Sequence, residues 1–142
     1  MNKLIRSIAT AATIAAATSA FTLVTPASAA PSAGECATQL GRASNPLSLA
    51  AYAVEFGAEQ GPFEHHEFIY TDLESARTNL RGGQCAGLVS TVKADVDFAL
   101  ARIATGESAL RAGDWASSFT ALDQADKAVS SAYYKAWKIA HP

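Results

Sequence analysis

Cys85, Val89, Val92, Val96, Ala99, Ile103, Gly106 and Leu110 stand alternately four and three residues apart, and no other feature of the chain restricts its fold so strongly. Apolar residues recurring about every 3.5 positions keep one side of an α-helix turned toward a partner helix; a strand would need alternation instead. The pattern predicts a helix from about Gln84 to Ala112, with Gly106 in phase on its seam. A break at Thr105-Gly106 is the alternative, because glycine weakens a helix interior. Ala, Leu, Glu, Lys, Arg and Gln recur with helical spacing through the rest of the chain beyond Pro31, and β-branched residues rarely alternate with polar ones.

Three further helices are expected. One starts at Asn45-Pro46, where Asn45 caps free amides and Pro46 suits the first helical position, with Leu49, Ala50, Ala53, Val54 and Gly57 as its apolar stripe. Gln60-Gly61-Pro62 ends it and opens a second, on which Phe63, His66, Ile69, Tyr70, Leu73, Ala76 and Leu80 share a face until Gly82-Gly83. After the seam helix, Gly113-Asp114 turns the chain into a last one carrying Trp115, Phe119, Leu122, Ala125, Val129, Ala132, Tyr133, Ala136 and Ala140. Four amphipathic helices with short connections predict an all-α, antiparallel four-helix bundle.

Within it, Gly106 and Leu110, then Gly113-Asp114-Trp115, Ser118, Leu122 and Ala125 resemble the helix-turn-helix of one tetratricopeptide repeat. Arg102 stands where that repeat carries an aromatic residue, the closing proline is missing, and there is no second copy. The resemblance implies tight packing of a helical hairpin and not a peptide-binding stack of repeats, which needs about three units.

At the N-terminus Lys3 and Arg6 precede an uncharged run, Ser7 to Ala30, that closes on Ala27-Ser28-Ala29. A positive start, an apolar stretch and a small-residue cleavage site make residues 1–29 a signal peptide, leaving 30–142 as a single domain that is secreted and extracellular. Cleavage after Ala29 is favoured over cleavage after Ala30, which would leave Pro31 at the cut. The alternative is a membrane anchor, but the run is rich in Thr and Ser, and no stable membrane insertion is expected after cleavage. Losing Lys3 and Arg6 takes the formal charge from −2 to −4, and no basic cluster remains, so nucleic acid and anionic lipid are poor partners.

Cys36 and Cys85 are the two cysteines, with neither a CxxC nor a zinc-ligand spacing, and in an exported chain they are expected as a disulfide. Closing a loop of this length stabilises a fold by about 4 kcal/mol in the chain-entropy treatment.

Chemistry-bearing residues gather at Glu64-His65-His66-Glu67 and Tyr70. Adjacent histidines project about 100° apart on a helix, so His65 and His66 as metal ligands need donors from elsewhere, and His141 is the third histidine. His66 with Tyr70 one turn later could ligate haem iron or a transition metal; the alternative is a boundary histidine that packs its ring and bonds a backbone carbonyl. Glu64 and Glu67, as well as Asp95 and Asp97, read as solvated acids and not as catalytic pairs. No nucleophile elbow, phosphate-binding loop or free thiol is present, which makes an extracellular hydrolase the least favoured reading. Near the C-terminus Tyr134 and Trp137 flank the last stripe, either covering the end of the bundle or contacting a partner protein or small apolar ligand. The leading expectation is a secreted, non-enzymatic binding or protein-interaction module, with a haem or metal carrier as the alternative.

Overall fold

A computed structural model describes residues 32–85 and 87–142; the signal peptide expected at 1–29 lies outside the described residues. They form four helices, α1 (Ala33–Gln60), α2 (Glu67–Leu80), α3 (Ser90–Arg111) and α4 (Trp115–Ala140), and among them there is no strand. Helix α4 packs broadly against both α1 and α3, α1 also carries α2, and α2 meets α3 more lightly, which gives an all-helical bundle.

Helix α1 begins twelve residues earlier than Asn45-Pro46, at Ala33, and runs straight through Pro46. Its start is a capping box: the Ser32 hydroxyl accepts from Glu35 N at 3.1 Å, and the Glu35 carboxylate accepts from Ser32 N at 2.7 Å. An internal proline costs a helix about 3 kcal/mol. Continuing upstream recovers that loss, because Cys36, Leu40, Ala43, Leu47, Ala50, Val54 and Gly57 form a second unbroken four-and-three seam and all are buried. Leu49, expected on that stripe, is instead exposed.

The other boundaries shift for local reasons. Gly61, at φ 97°, ends α1, and residues 61–66 are not helical, so α2 begins at Glu67 and His66 occupies its N-cap. Helix α3 begins at Ser90, not Gln84. Cys85 is disulfide-bonded to Cys36, Gln84 N donates to Gln39 Oε1 at 2.7 Å, and Gly83 and Gly87 both have left-handed φ, so this segment is tied to α1 in a non-helical path. Val89 thereby leaves the seam and is exposed. Gln39, buried, also donates to Leu80 O at 3.2 Å, so one side chain anchors both the end of α2 and the connection after it. Gly113, with φ 79°, and Asp114, whose carboxylate accepts from Ser117 N at 2.9 Å, make the turn into α4.

No break occurs at Gly106; α3 passes through it because glycine is needed there for contact. A β-carbon at Gly106 would stand 2.7 Å from Leu122 Cδ2 and 3.3 Å from Ser118 O, and Ser118 Oγ donates to Gly106 O at 2.7 Å. Helix α4 turns Leu122, Ala125, Val129, Ala132 and Ala136 inward, whereas Tyr133 is half-exposed, its ring lying across Gly41 of α1. Asp95 is no free surface acid: it accepts from Ser131 Oγ at 2.8 Å and from Lys135 Nζ at 2.7 Å, linking α3 to α4.

Two glycine substitutions separate contact from propensity. Gly106→Ala, forced onto Leu122 and the α4 backbone, is expected to destabilise the fold by about 1–3 kcal/mol. Gly41→Ala, whose β-carbon would stand an unstrained 3.8 Å from Tyr133, is expected to stabilise it by about 0.5–1 kcal/mol. Urea unfolding of the two variants measures both, and equal effects would contradict the packing described.

Candidate functional site

Helix α1 carries a second apolar series that the bundle leaves uncovered. Leu49, Tyr52 and Phe56 lie two positions beyond the buried Leu47, Ala50 and Val54, which places them about 200° round the helix from the core. Leu49 is 53% exposed, Tyr52 70% and Phe56 49%, and across from them Phe68 of α2 is 47% exposed. Together with Ala53, Phe63 and Asp72 these residues line an open groove of about 370 Å³ between α1 and α2, with almost no polar surface and Asp72 as the one charged residue of its lining. Loss of hydration raises the pKa of Asp72, and among the described residues no Lys or Arg pairs with it.

The groove is positioned from the core outward. Trp115, first residue of α4 and buried, lies against bare α1 backbone at Gly57, where any β-carbon would overlap its indole. Over the indole fold Phe63 and His66, at centroid distances of 5.5 Å and 5.3 Å. Phe63 then meets Phe56 edge-on at 6.0 Å and stacks with Phe68 at 6.2 Å, so the floor of the groove is continuous with the Trp115 contact. His65 adopts φ 60° in this connection and is exposed. The Nδ1 atom of His66 is 2.9 Å from Phe63 O, and since a carbonyl only accepts, Nδ1 is the donor.

Beside this cluster ion pairs link α2 to α3. Arg77 reaches both Glu74 and Glu107, Arg111 donates to Glu107 at 3.0 Å, and the Arg111 guanidinium lies 4.4 Å from the centre of the Tyr70 ring. Burial alone pushes the Glu107 pKa up, but hydrogen bonds and attraction from Arg77 and Arg111 outweigh it, and the net shift is downward.

The residues singled out from sequence are dispersed relative to the groove. His66 and Tyr70 are neighbours at 6.4 Å between ring centres, His66 in the Trp115 cluster and Tyr70 beneath Arg111, while His65, Glu64 and Glu67 are exposed. Among the described residues no group of three His, Cys, Asp or Glu side chains is placed to hold a metal ion. Tyr134 and Trp137 are exposed at the far end of α4, Tyr134 under the Lys138 ammonium at 4.6 Å and Trp137 stacked on His141 at 4.6 Å; neither lines the groove. Sequence reasoning missed Tyr52, Phe56 and Phe68 altogether. The signal was Asn45, Leu49, Tyr52 and Phe56, a four-three-four spacing superimposed on the core seam of the same helix.

The Glu107 arrangement fixes a pH dependence. A carboxylate whose folded pKa is depressed contributes stability above its unfolded value, and that contribution is lost as pH falls through the folded pKa. Glu107→Gln is therefore expected to be less stable than the parent chain above about pH 5, with the difference shrinking as pH falls below the ordinary Glu value of about 4.3. Thermal unfolding across that range checks it; a difference independent of pH would contradict the ionic role. Compared with known proteins, the chain matches no family model, no curated protein sequence and no solved structure.

Proposed function

We propose that the chain is a secreted, non-enzymatic interaction module: an antiparallel, disulfide-clasped bundle whose working surface is the apolar groove between α1 and α2. The observation that carries this reading is the contiguous exposure of Leu49, Tyr52, Phe56 and Phe68 on helices whose opposite faces already fill the core. Isolated apolar side chains on a surface are ordinary, but several gathered in one concave strip with a single acid at its wall are the usual make-up of a protein-binding groove. Roughly half or more of each of these side chains stays in water, an apolar exposure that a partner would cover. Secretion is supported by the Cys36–Cys85 bond and by the leader-like residues 1–29, and no helix among the described residues is long and apolar enough to cross a membrane.

Rigid aromatic residues suit such a role, since they cover much area while losing few rotamers on binding. The connection through Phe63 to Trp115 and Gly57 holds the floor in one shape before any partner arrives.

Nile red, a neutral dye that brightens on apolar surfaces, tests the groove. The full chain is expected to enhance its fluorescence, and the Phe56→Ser/Phe68→Ser variant to bind it at least roughly tenfold more weakly while still unfolding in a single cooperative transition, at a lower temperature. Equal dye binding by both proteins would refute this surface as the site.

A further inference from the structure

Residues 43–76, which supply both walls of the groove and the connection between them, contain no Lys and no Arg but six acids: Glu55, Glu59, Glu64, Glu67, Asp72 and Glu74. Elsewhere on the bundle four acids are paired with bases of the chain, and Glu35, Asp114 and Asp126 accept hydrogen bonds from Ser32 N, Ser117 N and Ser48 Oγ without an ion pair. Asp95 meets Lys135, Asp97 meets Lys93, Glu107 meets Arg77 and Arg111, and Asp123 meets Lys127. Within residues 43–76 only Glu74 is answered, by Arg77 on the side of α2 that meets α3; among the described residues Glu55, Glu59, Glu64, Glu67 and Asp72 are in no ion pair. The positive charge complementary to this surface is therefore absent from the surface itself.

On the basis of the interaction-module reading above, we propose that the occupant of the groove is a cationic amphipathic helix of another protein, its apolar side on Leu49, Tyr52, Phe56 and Phe68 and its Lys or Arg residues against the acidic rim. From Leu49 to Phe56 the α1 wall is about 10 Å long, two helical turns, which matches large apolar residues on the partner at i, i+3 or i+4, and i+7. Asp72 fixes the register. It stands in the apolar wall and has lost part of its hydration, so a guanidinium or ammonium docked there regains what burial removed. Like charge around the mouth disfavours acidic peptides and anionic lipid surfaces, so specificity arises from repulsion as well as fit.

Three synthetic peptides about five helical turns long, sharing one Leu face and carrying Lys, Gln or Glu on the other, test the proposal by calorimetric titration into the full chain. The Lys peptide is expected to bind at least about tenfold more tightly than the Gln peptide, and the Glu peptide not measurably, with the Lys advantage shrinking severalfold as salt rises. Asp72→Asn is expected to weaken the Lys peptide about threefold and to leave the Gln peptide unchanged. Equal affinity for the Lys and Gln peptides, or no loss in Asp72→Asn, overturns the cationic partner while leaving the groove as an apolar site. Lys-peptide binding that survives Phe56→Ser/Phe68→Ser intact is charge attraction alone, and it overturns the proposal together with the groove, as does a failure of all three peptides to bind.

Discussion

The contact of Trp115 with the bare backbone of Gly57 governs more of this molecule than any other. It fixes how closely the start of α4 approaches the end of α1, and it gives the connection between α1 and α2 something to fold over. Phe63 and His66 pack on the same indole, and Phe63 passes the constraint outward to Phe56 and Phe68. Core and groove are thus two sides of one aromatic cluster. Gly106 repeats the device on the other flank of α4, where Leu122 and Ser118 press on α3.

Close approach suits a core built largely from small residues. Ala43, Ala50, Ala99, Ala125, Ala132 and Ala136 are all fully buried, and each removes far less apolar surface from water than a leucine would. Covalent and polar clasps compensate. The Cys36–Cys85 bond and the two hydrogen bonds of Gln39 hold the segment after α2 onto α1, and the Arg77–Glu107–Arg111 set joins α2 to α3, the pair of packed helices that touch least. Because α2 forms one wall of the groove, these clasps also keep the site in shape.

The sequence was informative where one periodicity dominated a helix. The seam from Val92 to Leu110 and the stripe from Trp115 to Ala136 were legible because each helix has a single buried side, and Gly113-Asp114 between them has one obvious role. Helix α1 was misread because proline more often begins a helix than sits within one, and the Ser32–Glu35 box lies far from the first conspicuous apolar cluster. Cys85 fell on the seam spacing, yet its covalent partner removed it from the helix. His66 was placed on a helical face, although the preceding connection turns it onto Trp115. The groove could not be recovered from pattern alone. Two apolar series share α1, and which of them meets the core is decided by the helices it packs against, not by local propensity.

Hydroxyl-radical footprinting of the purified full chain, read residue by residue by mass spectrometry, tests most directly the claim that an uncovered aromatic face is built over a dry Trp115. Tyr52, Phe56 and Phe68 are expected to be oxidised readily while Trp115, the most reactive type of side chain among them, stays protected. Protection of the three groove residues, or oxidation of Trp115 as fast as theirs, would contradict it.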